Sequence, residues 1–387
     1  MRILFCDYEY PPLGGGGGAL NAWLAEELAK KHSVTVLTSG ADELAADETI
    51  NGVRVIRVPV YFRSRLQTAN FPSMIVYLLN GWRIGRKLLR EEKFDIINTF
   101  FVVPTGPVGH ALARFAKIPN ILSVLGGDIY DPSKRSSPHR HAPLRAAVRY
   151  LLKQSERVVG ESHDVLENVR KYYLRDLETD LIPLGIPRPP KVEMARESLG
   201  LSPDDFVLIT VGRLVPRKAV NQLLEVVSNI KDRKPKLIVI GGGPEEEDLQ
   251  KQSKELQLEE QIVFAGHVSD SEKIGMLQLS DAYVSTSQHE GFGLVFLEGM
   301  AAGLPVVCYD HGGQTDFVHD GENGFLVKLN DQEKFQSRIE QLCVDRELYN
   351  KMSANNLSVI ENYYIDKCAA DYEQLFQQHI DQHTASK

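Results

Sequence analysis

Residues 285–307 read Ser285-Thr-Ser-Gln-His-Glu-Gly-Phe-Gly-Leu-Val-Phe-Leu-Glu-Gly-Met-Ala-Ala-Gly-Leu-Pro-Val-Val307. A β-branched run, two glycines and a longer apolar run follow one another here, a pattern typical of a strand, a tight loop and a helix. Gly291 and Gly293 let the backbone approach a ligand closely. The amides of Phe292, Gly293 and Leu294 would begin the helix, and free amides at the positive end of a helix dipole bind anions. The stretch therefore predicts an anion site suited to a diphosphate.

Two glutamates lie on either side of this loop. Glu290 precedes the first glycine, and Glu298 follows eight residues later, close to two helical turns. Inside the predicted helix, Glu298 can accept hydrogen bonds from two ribose hydroxyls, and Glu290 can do the same for hydroxyls of a sugar beyond the phosphates. Glutamates at this spacing are common on helix surfaces, so the significance of the pair depends on the glycines between them and the Gly-Leu-Pro-Val-Val that follows.

Three further loops in the same half also follow predicted strands. The first, at 210–218, reads Thr-Val-Gly-Arg-Leu-Val-Pro-Arg-Lys, and glycines begin the other two. Parallel strands end at one edge of a sheet, which is where open α/β sheets bind ligands. The candidate ligand-binding residues in these loops are Gly212, Arg213, Lys218, Gly242, Gly243, His267 and Val268.

Short β-branched runs alternate with helical patterns along the chain, which indicates parallel sheets covered by helices on both faces. The 387 residues are too many for one ordinary core. We therefore predict an α/β protein with two doubly wound, Rossmann-like domains facing each other across a cleft. The predicted strands span residues 3–6, 34–38, 53–58, 96–98, 121–124 and 158–160, and then 206–211, 236–240, 262–265, 282–285, 305–308 and 324–327.

The seam between these two sets of strands is rich in proline. Residues 182–190 contain four prolines and a glycine, which cannot continue a helix or a central strand. This predicts an N-terminal domain at 1–185 and a C-terminal domain at 186–362. The last segment, 363–387, is predicted to be a helix that crosses back to the N-terminal domain.

The N-terminal half has its own glycine-rich loop. Residues 10–18 read Tyr-Pro-Pro-Leu followed by five glycines, between the first strand and a predicted helix at 20–30. The amides of Gly15, Gly16 and Gly17 can therefore face an anion or wrap round a ligand. The glycine-rich fingerprint of dinucleotide-binding proteins also lies between a first strand and a first helix. Here, however, the second strand ends in Thr-Ser and lacks the acidic residue that would bind the ribose, which argues against a dinucleotide site.

The C-terminal segments together resemble the retaining family-4 glycosyltransferases, which have the GT-B fold. Residues 285–307 look like the E-x7-E motif of that family. Residues 212–218 resemble its G-R-L-x-x-x-K-G signature, with Ala219 in place of the final glycine. Residues 310–316 and 320–327 are similar to its G-G-x-x-E and G-x-N-G-x-L-V segments.

The resemblance implies roles for individual residues. Arg213 and Lys218 would hold the donor diphosphate, the task of a metal ion in other enzymes, and no D-x-D motif is present. The loops after the second and third strands of this half would border the phosphates and the base, and the N-terminal glycine loop would close over donor and acceptor. Many members have a His, in contact with the transferred sugar, where this chain has Leu125. Asp128 is our candidate for that contact, so the predicted catalytic group is Glu290, Arg213, Lys218 and Asp128.

Charge divides unevenly along the chain. Residues 1–187 contain 24 Lys and Arg against 20 Asp and Glu, and the remainder contains 20 against 32, which gives the net charge of −8. The mildly basic half favours an anionic partner, and the absence of a strongly basic domain argues against nucleic acid. Amphipathic stretches at 74–93 and 144–158 either cover the sheet or contact an anionic membrane.

No run of residues approaches the roughly 18–20 apolar positions that cross a bilayer. The apolar start is too short for a signal sequence, so we expect a cytoplasmic protein, with peripheral contact at the inner face of the cytoplasmic membrane as the alternative. The four cysteines are far apart and show no metal-ligand spacing, so we expect reduced, partly buried thiols. We expect no metal ion and no cofactor, with the nucleotide sugar as a substrate.

The resemblance implies transfer of a sugar, with retention, from a nucleoside-diphosphate sugar to a hydroxyl group. UDP is favoured over GDP, and the acceptor would be a glycan, a lipid-linked molecule or a small molecule, as in glycolipid or cell-surface polysaccharide synthesis. Three alternatives stay open: a nucleotide-sugar epimerase on the same scaffold, an NAD(P) oxidoreductase that uses the glycine loop, and a non-catalytic protein that binds sugar nucleotides.

Overall fold

The computed structural model describes residues 1–61 and 70–385. The chain divides into two compact units, the first formed by Met1–Pro187 with Tyr364–Lys387 and the second by Arg188–Tyr363. These boundaries fall two residues and one residue after the predicted ones. The last two residues of the predicted segment 363–387 lie outside the described part.

The first unit contains an eight-stranded sheet in the order β3-β4-β2-β1-β5-β6-β7-β8. All neighbouring strands are parallel except β3, which is antiparallel to β4. Its strands are Arg2–Cys6 (β1), Ser33–Ser39 (β2), Asp47–Ile50 (β3), Val53–Val58 (β4), Ile96–Phe100 (β5), Asn120–Val124 (β6), Arg157–Gly160 (β7) and Thr179–Leu181 (β8). Its helices up to the linker are Gly16–Ala29 (α1), Phe71–Glu91 (α2), Gly106–Ala116 (α3), Ala142–Gln154 (α4) and His163–Tyr172 (α5).

The second unit contains a six-stranded, all-parallel sheet in the order β11-β10-β9-β12-β13-β14. Its strands are Val207–Val211 (β9), Lys236–Ile240 (β10), Ile262–Gly266 (β11), Ala282–Ser285 (β12), Val306–Tyr309 (β13) and Gly324–Val327 (β14). Its helices are Val220–Asn229 (α6), Glu246–Glu255 (α7), Asp270–Leu279 (α8), Leu294–Ala301 (α9), Gln332–Val344 (α10) and Arg346–Val359 (α11).

The last helix, Ile365–Ala385 (α12), belongs to the first unit. It packs on α1, and the Tyr372 hydroxyl is hydrogen-bonded to the Ser123 hydroxyl of β6 at 2.9 Å. Gly185 lies against the start of this helix, where a Cβ atom would come within 2.7 Å of the Ile365 Cα. None of the helices in the described part of the chain is long and apolar enough to span a bilayer.

Every strand expected from the sequence is present, and each sheet is doubly wound as predicted. Apart from residues at their amino ends such as Arg2, the central strands are buried, because helices cover both faces of a parallel sheet. The sequence did not predict the edge strands β3 and β8. Their residues are exposed or only partly buried, so these strands need no apolar sequence pattern. In each sheet the chain reverses its direction of strand addition beside a central strand: between β1 and β5, and between β9 and β12. Ligands bind at such points in open α/β sheets.

Candidate functional site

The loops that follow β9 and β12 are joined to each other at the switch point of the second unit. The Gln288 amide donates to the Arg217 carbonyl at 2.8 Å, and the Thr286 hydroxyl donates to the Ala219 carbonyl at 2.8 Å. On the other side, the Gly313 amide donates to the Glu290 carbonyl at 2.8 Å. These backbone contacts hold the loop that bears Glu290 between two neighbours.

Glu290 is buried and lies between two cations. The Lys218 ammonium donates to one carboxylate oxygen in a close contact, and Arg217 Nη1 donates to the other at 3.0 Å. Burial alone would raise the pKa of Glu290, but the Lys218 and Arg217 charges outweigh it and hold that pKa well below its usual range. The carboxylate therefore stays ionised at neutral pH and is suited to accepting hydrogen bonds rather than to carrying a proton.

The sequence did not single out Arg217, which the structure brings to Glu290. A short 3-10 turn, Pro216–Lys218, directs both of its basic residues toward the carboxylate. Arg213, which was predicted to hold the donor diphosphate together with Lys218, is exposed. It lines a small pocket with Lys218 and Ser285. The motif contains three cations within six residues, and their spacing alone does not say which of them turn inward.

Ala219, which replaces the usual glycine of the motif, adopts a left-handed conformation with φ of 46°. This conformation favours glycine and is uncommon for other residues, which explains the family preference at this position. In this chain Ala219 is the N-cap of α6, which begins at the next residue. The substitution leaves Lys218 at Glu290.

Glu298, in α9, has one satisfied and one unsatisfied carboxylate oxygen. Lys273 of α8 donates to Oε1 at 2.7 Å, whereas Oε2 is buried and has no hydrogen-bond partner. Burial raises the pKa of Glu298, and the Lys273 charge opposes the rise. Since buried polar atoms are nearly always paired, the lone Oε2 marks a position for a donor from a ligand. Sequence reasoning missed Lys273, which lies 25 residues from Glu298 in the chain.

The helix α9 begins directly after the glycine loop, and anion binding at its first amides stays a prediction. Gly293 is the N-cap, with φ of 102°, and the amide of Leu294 opens the first turn. The first amides of a helix have no partner inside it. The Phe292 ring, in contrast, is buried against Phe317 and Tyr363, so only its backbone is left to serve a ligand.

The loop after β10 approaches the β9 loop closely, and the loop after β11 lies beside the β10 loop. The Leu214 amide donates to the Gly242 carbonyl at 3.0 Å, and a Cβ at Gly243 would lie 2.2 Å from the Leu214 carbonyl oxygen. His267 is exposed beside Gly242, and Val268 is half-buried. The glycines thus permit the loops to pack together, and their predicted contacts with phosphates and base stay predictions.

The predicted residues of the first unit have mainly structural contacts. Asp128 is buried, and its two oxygens accept the Val102 amide at 2.6 Å and the Leu125 amide at 3.2 Å. Burial raises the pKa of Asp128 to about 6. The carboxylate therefore ties together the loops that follow β5 and β6, and its predicted contact with the transferred sugar stays a prediction.

The glycine-rich loop is shorter than the sequence suggested. The helix begins at Gly16 rather than at residue 20, so Gly16 and Gly17 are helical and Gly15 is the N-cap. A Cβ at Gly17 would lie 2.7 Å from the Phe101 ring, whereas one at Gly15 would meet nothing. The Gly15 amide donates to the Glu9 carboxylate at 3.2 Å, so one predicted anion-binding amide already has an acidic partner.

Within residues 1–61 and 70–385, no cluster of three or more His, Cys, Asp or Glu side chains is arranged to hold a metal ion.

Comparison with known families gives matches over nearly the whole chain. Residues 191–358 match the model of the glycosyl transferases group 1, and residues 15–185 match that of the glycosyl transferase 4-like domain. The chain is therefore a glycosyltransferase made of a glycosyl transferase 4-like domain followed by a group 1 domain. The family predicted from the motifs is therefore confirmed.

This glycosyltransferase has relatives of varied activity. It is 31% identical over 201 residues to EpsD of Bacillus subtilis, a match that covers 51% of this chain and 52% of EpsD. It is 24% identical over 390 residues to the N-acetyl-alpha-D-glucosaminyl L-malate synthase of Bacillus anthracis, which covers 95% of this chain and 94% of that protein.

Solved structures with the GT-B fold resemble this glycosyltransferase over nearly its full length. Sucrose-phosphate synthase from Thermosynechococcus elongatus has a TM-score of 0.85 at 21% identity, covering 98% of this chain and 99% of the other. HepE of Anabaena, solved in complex with UDP and glucose, has a TM-score of 0.77 at 20% identity, covering 98% and 100%. The predicted fold class is confirmed.

Proposed function

We propose that this glycosyltransferase moves a sugar from a UDP-sugar to a hydroxyl acceptor, with retention at the anomeric carbon and without a metal ion. The observation that carries the proposal is the pair of carboxylates of Glu290, just before the glycine loop, and Glu298, within α9. Each carboxylate oxygen of Glu290 accepts a hydrogen bond from a cation, whereas the buried Oε2 of Glu298 has no hydrogen-bond donor. A nucleotide ribose supplies the hydroxyl donor that Glu298 lacks.

The diphosphate would lie against the α9 amides, with Lys218 and Arg213 opposite. When the bond between the anomeric carbon and the diphosphate oxygen breaks, negative charge grows on that oxygen, and these groups stabilise it. The acceptor oxygen bonds to the anomeric carbon, and its proton passes to the departing phosphate oxygen on the same face. No protein base is required, in keeping with the depressed pKa of Glu290.

Two lines of support favour UDP and retention. HepE, which shares the fold, was solved with UDP and glucose, and its UDP makes a uridine nucleotide the first donor to test. Retention is supported by the motif resemblance to family 4. A GDP-sugar is the alternative donor.

A panel of UDP- and GDP-sugars, first scored by thermal shift, tests the donor. Release of the nucleoside diphosphate is then measured with and without candidate acceptors, and the anomeric configuration of the product is read by NMR. Donor conversion without any acceptor would indicate an epimerase, and binding without turnover a non-catalytic protein.

A matched pair of variants tests the site. Lys218→Ala should lower the transfer rate at least 100-fold, since a charge on the leaving group is worth roughly 3 kcal/mol or more. Lys251→Ala, which alters an exposed lysine of α7, should leave the rate unchanged. Equal transfer rates for the two variants would show that Lys218 does not stabilise the leaving group.

A further inference from the structure

One stripe of α2 is exposed along its whole length. Phe71, Ile75, Leu79, Arg83 and Lys87 follow one another at four-residue spacing, so they share a face of the helix. The three apolar side chains are 69%, 46% and 69% exposed. The stripe is therefore apolar over its first half and cationic over its second.

The sheet-facing side of α2 is already filled. Its buried residues are Ser73, Tyr77, Gly81, Gly85 and Leu88. The residues of the exposed stripe are therefore not needed for packing α2 on the rest of the unit. Single exposed apolar residues are normal on a protein surface, but three in a row on one helix indicate an interaction surface.

The helices beside this stripe are strongly basic. α2 packs on α3, and α3 packs on α4. The three helices contain eight Lys and Arg and a single acidic residue, Glu91, in a chain whose net charge is −8. The cations are Arg83, Arg86, Lys87, Arg90, Arg114, Arg145, Arg149 and Lys153.

Aromatic rings lie among these cations. The Trp82 ring packs edge-on against Phe115, with centroids 5.9 Å apart. The Arg86 and Arg90 guanidinium groups lie 5.8 Å from the Trp82 and Phe115 ring centroids. Tryptophan and arginine side by side suit the region of a bilayer where headgroup phosphates meet acyl chains.

We infer that this surface, made of the α2 stripe and the basic faces of α3 and α4, docks the first unit on an anionic phospholipid bilayer. Phe71, Ile75 and Leu79 insert among the headgroups, and the cations contact lipid phosphates. A second copy of this chain fits less well, because a two-fold interface through this surface would set like charges against each other. The inference is independent of the proposed donor and acceptor.

Flotation with vesicles tests the inference. The protein should float with vesicles of equal parts phosphatidylglycerol and phosphatidylcholine, should not float with phosphatidylcholine alone, and should be released by high salt. Each neutralised cation should weaken binding about fivefold, so Arg83→Gln/Lys87→Gln should weaken it about 25-fold. The triple variant Phe71→Ser/Ile75→Ser/Leu79→Ser should abolish flotation.

Matched variants in the second unit serve as controls. Val344→Ser/Leu357→Ser removes two other exposed apolar side chains, and Lys251→Gln/Lys254→Gln removes two other exposed cations. Both should float as the wild type does. Circular dichroism and thermal melting establish that every variant is folded, as expected for surface changes.

A second readout reports the site of contact directly. Trp23→Phe leaves Trp82 as the sole tryptophan, and brominated anionic lipid should quench its fluorescence. The inference is overturned if anionic vesicles do not bind the protein, or if the α2 variants float as well as the controls. It is also overturned if the wild type does not bind vesicles and sedimentation instead shows a dimer that the α2 variants abolish.

Discussion

Glu298→Gln separates the ligand-binding role of this carboxylate from a structural one. In the free protein Oε1 accepts the Lys273 ammonium at 2.7 Å, and the buried Oε2 has no donor. The variant keeps the shape of the side chain. It removes the negative charge and replaces one of the two acceptor oxygens with an NH2 group that cannot accept a hydroxyl donor.

The expected loss of nucleotide affinity follows from the charge on this acceptor. A hydrogen bond to a charged group contributes about 1.5–3 kcal/mol, so the Kd for UDP should rise roughly 10- to 150-fold. The stability should change little, within about 1 kcal/mol, because a buried charge with one unsatisfied oxygen disappears. Lys273 retains its contact with Asp270 at 3.2 Å.

Isothermal titration calorimetry with UDP and urea unfolding at pH 7 measure the two effects. Glu255→Gln, at an exposed position of α7, is the matched control and should change neither. A Kd within twofold of wild type would refute the assignment of Glu298 to the nucleotide. A loss of more than about 3 kcal/mol in stability would show instead that the carboxylate serves the fold.

Three further changes test the electrostatics and the close packing of the loops. Arg217→Met should cost about 1–3 kcal/mol of stability at pH 7, because Glu290 loses one of its two cations. The depressed pKa of Glu290 also means that wild-type stability is lost as the pH falls below about 4.5, and urea titrations should show a smaller loss in this variant. Asp128→Asn removes a carboxyl whose pKa is raised to about 6 from 3.8. The folded state therefore holds its proton more tightly, and on acidification from pH 7 to pH 4 the wild type should gain about 2.4 kcal/mol relative to the variant, whereas equal urea profiles would contradict this. Gly243→Ala places a Cβ 2.2 Å from a carbonyl oxygen of the neighbouring loop and should cost about 1–3 kcal/mol and weaken UDP binding, while Gly127→Ala, with no atom in reach, serves as control in thermal melts and titrations.

The fold could be predicted because its determinants are local. Fully buried parallel strands favour apolar runs, and these are visible in the chain at central strands such as β1 and β9. The edge strands β3 and β8 were missed for the converse reason, since strands at an edge bury less of their surface. The first unit reaches Pro187, within the proline-rich segment 182–190.

The sequence by itself determined the two-unit α/β fold, the family, and the loop that carries Glu290 and Glu298, because strand, glycine turn and helix start are encoded in adjacent residues. Only the tertiary structure decided which distant cations meet these carboxylates. Arg217 reaches Glu290 because a 3-10 turn and a left-handed residue reverse the chain, and Lys273 reaches Glu298 from another helix. Spacing along the chain does not encode such contacts, since they depend on where packed elements bring side chains from separate loops together.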